Sequence, residues 1–323
     1  MRTTLLALAT IVAATTTARA EEDPACSETQ LSQEALDALE DAQESEDSKA
    51  DEADANYHIP VYLHIIRRAP QGEGDMPVAH ARAITVDRIN TQLAEMNIPF
   101  TLDLKKIDYT TATPEEYNLK QNSPEEKGLY DALNVSGRRN LNIYVVGPRA
   151  DTTVTGWAEF LVNPALYRGD HVVLRYFPAK KDFSDALTPI HELGHWMGLL
   201  HTFHFGCGTF KHGDFIYDTA TQEKGTSTCS AGYDSCPNDD GVDPTDNIMG
   251  YSHSCRSKFS PGQIKRMKFL WRTARGGKSD DELVDDELIV EDDAAESTGC
   301  AATPASSLLP MLFAFGLRRR RRR

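Results

Sequence analysis

The sequence predicts an α+β fold, and three observations carry that prediction. Val61, Leu63 and Ile65 alternate with other residues, as do Phe100, Leu102 and Leu104, which is the period of a half-buried strand. Ile84, Ile89, Leu93 and Met96 fit one face of a helix instead. From Thr202 to Ser260 neither period persists, and four cysteines punctuate a loop-rich stretch.

Taken in chain order, the strand beginning at Ile59 runs into a polar loop through Gly72 and Gly74, and the first helix ends near Asn97-Ile98-Pro99. The strand from Phe100 follows, and Glu125 to Leu133 suits a second helix. Leu141 to Val146 and His171 to Tyr176 are apolar and rich in β-formers, so both read as strands. Thr155 to Phe160 reads as an edge strand. Gly262 to Trp271 closes the domain as a helix with Ile264, Met267 and Trp271 on one face. No internal repeat of fixed period is present.

The chain has 323 residues, room for one substantial domain with appendages. Its formal net charge of -15 is localised rather than spread. Residues 21–55 carry 14 Asp/Glu against one Lys, and residues 276–299 carry 10 against one, whereas Tyr57 to Arg275 holds 25 acidic and 24 basic residues. Nothing forms a basic face, which argues against nucleic acid as a partner. Arg2, the apolar run Leu5 to Ala14 and Ala18-Arg19-Ala20 make residues 1–20 a secretory signal peptide. Residues 21–55 are too poor in apolar surface to fold alone, and read either as a propeptide or as a solvated spacer. Residues 276–299 read as an acidic linker. At the end stand Gly299-Cys300, an apolar run from Ala301 to Leu317 and six arginines, Arg318 to Arg323. This order resembles C-terminal sorting signals of myxobacterial type, which implies export and sorting machinery as partners and attachment near Cys300 at the cell surface. The expected location is therefore outside the cell, either released or anchored.

The most informative stretch is HELGHWMGLLH, from His191 to His201. His191 and His195 lie four residues apart on one helical face, so both imidazoles can reach one ion. Gly198 can take the left-handed conformation that ends a helix and returns the chain so that His201 approaches the same point. Three protein ligands leave a fourth position open, the mark of a catalytic zinc site. Glu192 stands where its carboxylate can take a proton from water held there. With 10 histidines in the chain, the full spacing arises by accident in fewer than about one in ten thousand sequences of this length.

The long motif is that of the metzincins. His191 to Phe203 (HELGHWMGLLHTF) resembles the pappalysin/cytophagalysin family of zinc metalloendopeptidases, and further matches follow in order. They are Gly213-Asp214 with Asp218-Thr219, the four spaced cysteines, Gly241-Val242-Asp243-Pro244, Asn247-Ile248-Met249-Gly250-Tyr251, and Phe259-Ser260-Pro261-Gly262-Gln263. The resemblance is dense from Ser184 to Arg275 and thinner back to Ile59. It implies a metzincin fold over residues 56–275: a twisted mixed sheet with backing helices and the active-site helix above a cleft, and a disulfide-linked irregular half below. It implies a monomeric endopeptidase acting on proteins or peptides. Met249 would form the Met-turn beneath the histidines, Tyr251 would donate to an oxyanion, and Cys207–Cys236 and Cys229–Cys255 would be bridged. It also suggests calcium at Asp214 and Asp218, hard oxygen donors.

Cys26 has three readings: a thiolate occupying the open zinc position of a zymogen, a bridge to Cys300, or an idle thiol. His204, His212 and His253 read as loop histidines, and His64 and His171 as hydrogen-bonded sheet residues. The match weakens after Met249, where Gly250 replaces the usual Asp and the acid expected before Cys255 is missing. A preference for basic side chains is therefore not transferred. The rival to a protease is a surface binding or adhesion protein on the same scaffold, without turnover.

Overall fold

The computed structural model describes residues 56–70, 72, 74–159, 171–208, 213–276 and 289–292. The expected signal peptide, leader, Cys26, Phe160, His212, Cys300 and sorting tail lie outside them. Every described element falls within the compact unit Met1–Asp293.

Six strands form one sheet in the order β4-β5-β3-β1-β2-β6. β1 (Tyr57–Arg67) is its centre, and Ile59, Val61, Leu63 and Ile65 are fully buried, as their alternation requires. It pairs in parallel with β2 (Phe100–Thr111) and β3 (Leu141–Val146). β5 (His171–Arg175) continues the parallel set beside β3, and β4 (Gly156–Ala158) closes one edge antiparallel to β5. At the other edge β6 (Ile289–Asp292) pairs in parallel with β2, inside the stretch read from sequence as a linker.

A parallel pair needs a crossover. Between β1 and β2 it is supplied by α1 (Val78–Arg82) and α2 (Arg88–Glu95), joined by a π-helical turn at Ala83–Asp87. Ile84, Val86, Ile89 and Leu93 from these elements are buried in the main core with β1 and β2. Asn90 secures the crossover: its side chain donates to the Leu102 carbonyl at 2.9 Å and accepts from the Leu102 amide at 2.7 Å. α3 (Pro114–Tyr117) and α4 (Pro124–Leu133) both begin with proline after a hydroxyl N-cap, Thr113 or Ser123, the arrangement that satisfies free amides at a helix start.

The sheet carries paired polar residues in its interior. His64 Nδ1 meets both oxygens of Asp108 at 2.9 and 3.0 Å, and Nε2 faces Asn142 Oδ1 at 3.1 Å. The Glu126 carboxylate, projecting from α4, accepts from the Trp157 indole and the Asn122 amide and lies 3.1 Å from His171 Nε2. Thus His64 and His171 are hydrogen-bonded sheet residues.

α5 (Thr188–Trp196) packs against β4 and β5. Beyond it the described residues have little regular structure until α6 (Pro261–Thr273), which opens with a capping box between Ser260 and Gln263. Trp271 of α6 meets Phe100 edge-on at 6.2 Å and Trp196 at 6.5 Å between ring centroids, so the closing helix joins the sheet to the end of α5. The irregular region between these helices is crossed by two disulfides, Cys207–Cys236 and Cys229–Cys255, spanning 29 and 26 residues. Bridging such lengths restricts the unfolded chain by about 3–4 kcal/mol each in the loop-entropy account. Replacing Cys207 and Cys236 together by Ser should lower the unfolding free energy by roughly that amount, measured by urea denaturation under non-reducing conditions.

Candidate functional site

Every residue of α5 is buried, so its polar side chains face protein rather than bulk water. Asp185 prepares its start: Oδ1 accepts from the Leu187 amide at 2.8 Å and its carbonyl accepts from the Thr188 amide at 3.2 Å. Its end is a Schellman turn. Gly198, at φ 91°, donates to the His195 carbonyl, and Leu199 donates to the Gly194 carbonyl. A side chain at Gly198 would also collide with Leu270, so the glycine is required twice over. The reversal brings His201 back onto the face that carries His191 and His195.

The three imidazoles converge. His201 Nε2 lies 3.2 Å from His191 Nε2 and 3.1 Å from His195 Nε2. Bonds of about 2.0–2.1 Å to a tetrahedral zinc separate its nitrogens by about 3.3 Å, so this donor set fits such an ion closely. The outward nitrogens settle the tautomer. His191 Nδ1 lies 2.7 Å from the Ile248 carbonyl and His195 Nδ1 lies 2.8 Å from the Leu199 carbonyl. A carbonyl can only accept, so both Nδ1 atoms carry the proton and both Nε2 lone pairs point at the shared centre. Burial, followed by the neighbouring His195 and His201 and by Arg256, holds His191 well below the ordinary imidazole range. It is neutral and ready to ligate.

Beneath this centre the chain turns at Asn247–Gly250, with the Gly250 amide donating to the Asn247 carbonyl at 3.1 Å and the Met249 amide to the Asn247 side chain at 2.9 Å. Met249 is fully buried, and its sulfur packs where a side chain on Gly194 would otherwise sit; a Cβ there would be only 2.5 Å from it. Tyr251 follows at the rim. Its ring stands edge-on to His201 and to Phe203, at 4.8 Å in each case.

Glu192 is fully buried. It lies against β4: a Cβ on Gly156 would approach Oε1 to 2.9 Å. A side chain at that position would have to push the carboxylate aside. Arg175 secures this edge from behind, donating to the carbonyls of Val154, Gly147 and Leu119 at 2.9, 3.2 and 2.7 Å and lying 5.1 Å over the Trp157 ring.

Asp218 accepts from the Ser260 hydroxyl and the Gly262 amide, so it caps α6. Asp214 Oδ1 accepts from the Ile216 amide and the Thr219 hydroxyl, while its buried Oδ2 has no hydrogen-bond partner. Burial pushes its carboxyl up to about 8. His253 Nδ1 lies 2.9 Å from Asp185. Sequence reasoning left out Gly156, Asp185 and Arg256. The first was visible only as part of an edge strand, and the other two carried no local signal.

A helix bearing two imidazoles and a buried glutamate, a third imidazole returned to it by the turn at its end, and a Met-turn below define a metzincin-type metalloprotease architecture. Comparison with known proteins agrees. The peptidase M43 family, described as "Pregnancy-associated plasma protein-A", matches residues 148–271. An extracellular metalloprotease of Neurospora crassa is 30% identical over 238 residues, covering 70% of this chain and 79% of that protein. One of Arthroderma benhamiae is 30% identical over 258 residues, covering 76% and 82%. Among solved structures, a promirolysin mutant of Tannerella forsythia aligns over 75% of this chain and 89% of its own at TM-score 0.57 and 22% identity. Mature mirolysin in complex with a cleaved peptide aligns over 68% and 92% at TM-score 0.52 and 21% identity. The structural likenesses show the shared fold. The chain belongs to this family of extracellular metalloproteases.

Two expectations follow from the geometry. Gly156→Ala should displace the flexible carboxylate of Glu192 and, with Glu192 acting as the general base proposed below, lower kcat about tenfold or more, a loss on the scale of mispositioned acid–base catalysis. Melting temperature and bound metal should change little, read by calorimetry and metal analysis. Asp214 should make stability pH-dependent. Its folded pKa lies above the unfolded value, so between about pH 4 and 8 the folded chain holds a proton that the unfolded chain releases, and stability falls as pH rises. Asp214→Asn should flatten that decline in urea unfolding at pH 5 and pH 8.

Proposed function

We propose that the chain is an exported zinc-dependent endopeptidase, with His191, His195 and His201 as the zinc ligands and Glu192 as the general base. The observation that carries this reading is the convergence of three Nε2 atoms, two from α5 and one from the turn that follows it, beside the buried glutamate of that helix. Zinc in this setting supplies Lewis acidity toward the scissile carbonyl and brings the pKa of water to about 7. The protein's own groups do the rest. The Glu192 carboxylate takes the proton from the attacking water and passes it to the leaving amine as the peptide bond breaks. Tyr251, at the rim beside His201, donates a hydrogen bond from its phenol to the oxyanion. β4, at the end of the sheet, offers backbone groups to an extended substrate, which would lie across the metal helix. Met249 acts by packing, not by ligation.

The names of the similar proteins support an extracellular location. Release into the medium and retention through the sorting tail are both compatible with it. The rival reading, a scaffold without turnover, differs from this one in activity alone. Glu192→Ala should leave one zinc per chain and abolish cleavage of casein, losing at least two orders of magnitude in kcat, the scale of general acid–base catalysis. A chelator should silence the wild type and added zinc restore it. If Glu192→Ala cuts at the normal rate, the base is misassigned.

A further inference from the structure

We propose that Arg256 is a positioning residue of the metal centre: one buried guanidinium ties the start of the metal helix to the Met-turn and holds the carbonyl that orients His191. This rests on the three histidines being the metal ligands. The Arg256 side chain is 2% exposed and its fork reaches two walls of the site. On one side Nη2 donates to Asp185 Oδ2 at 2.6 Å. Asp185 is the residue whose Oδ1 and carbonyl receive the Leu187 and Thr188 amides at the head of α5. On the other side Nη1 donates to the carbonyls of Gly250 at 3.2 Å and Ile248 at 3.4 Å, the residues that flank Met249.

The Ile248 carbonyl is the centre of the arrangement. It receives His191 Nδ1 at 2.7 Å, and the guanidinium approaches the same oxygen, which places Nη1 3.3 Å from Nδ1. Both nitrogens are donors, so their proximity reflects a shared acceptor and not a bond between them. The guanidinium keeps this oxygen, and with it the ring plane and tautomer of His191, in register with the helix that carries the ligand. A planar, always charged fork suits this task; an ammonium presents a single point charge and cannot address both walls from a fixed plane. His253 Nδ1 also faces Asp185 Oδ2, at 2.9 Å, so the carboxylate retains a partner when Arg256 is removed. Outer groups that orient metal-ligating histidines are worth about 10–100-fold in metal affinity.

The test uses the full chain and zinc alone. Apparent zinc affinity is measured by competition with a chromophoric chelator, and ligand geometry is read from the visible absorption of the cobalt-substituted protein. Arg256→Met should bind zinc about tenfold or more weakly and shift the cobalt bands, with Arg256→Lys recovering only part of the loss. Asp185→Asn keeps the shape and weakens the anchor, and should lower zinc affinity by a smaller factor. It decides the matter if Arg256→Met does not fold. Zinc affinity within threefold of wild type together with unchanged cobalt bands, in Arg256→Met or failing that in Asp185→Asn, overturns the proposal. Wild-type protein that binds no stoichiometric zinc, or His191→Ala protein that binds it as tightly as wild type, overturns instead the assignment of the ligands on which the proposal stands.

Discussion

Three imidazoles gathered so that His201 Nε2 lies 3.2 Å from that of His191 and 3.1 Å from that of His195 are the constraint around which this molecule is arranged. Lone pairs gathered so closely repel one another, and the rings lie almost wholly out of water. Such a cluster persists only if each ring is oriented from outside and a cation completes it. His195 is oriented within its own turn, because the Schellman reversal at Gly198 aims the Leu199 carbonyl back at Nδ1. His191 is oriented from across the molecule by Ile248. The first restraint is local and comes with the motif. The second requires residues 57 positions apart to meet, which makes the irregular lower half a working part of the site.

The glycines show how tightly this is packed. Gly194 leaves room for the Met249 sulfur, Gly198 for the helix reversal and Leu270, and Gly156 for the Glu192 carboxylate. Each marks a place where one element approaches another's backbone, and together they bring helix, edge strand and Met-turn to one point. The Glu192 carboxylate therefore sits in a slot whose width is set by the edge strand β4.

Around this centre, charged groups act as braces across gaps that no regular element fills. Arg175 gathers three carbonyls behind β4, Arg275 stacks 3.3 Å over Trp196 while donating to its carbonyl, and Glu126 binds the Trp157 indole from α4. Burying such groups is unfavourable unless their hydrogen bonds are made, and here they are made chiefly to carbonyls left over by loops. The two disulfides act on the irregular region between α5 and α6 through the unfolded chain, where long loops are restricted most. The lower half holds its shape by cross-linking and by buried cations, with little secondary structure of its own.

What the amino-acid order determined alone is whatever depends on short separations. Alternation along Val61, Leu63 and Ile65 was enough for the central strand, and the spacing of His191, His195, Gly198 and His201 was enough for the ligand set, since a helix and its glycine stop are decided within eleven residues. The strand Leu141–Val146 and the closing helix were legible for the same reason. Tertiary structure decided the partnerships between distant residues: Ile248 with His191, Gly156 with Glu192, Asp185 with Arg256, Glu126 with Trp157, and Ile289–Asp292 with β2. It also placed the Asp218 carboxylate against Ser260 and Gly262 at the start of α6. A side chain's type and its neighbours in sequence define what it can donate, accept or exclude. Which group it meets depends on how loops of tens of residues close, and no local period records that.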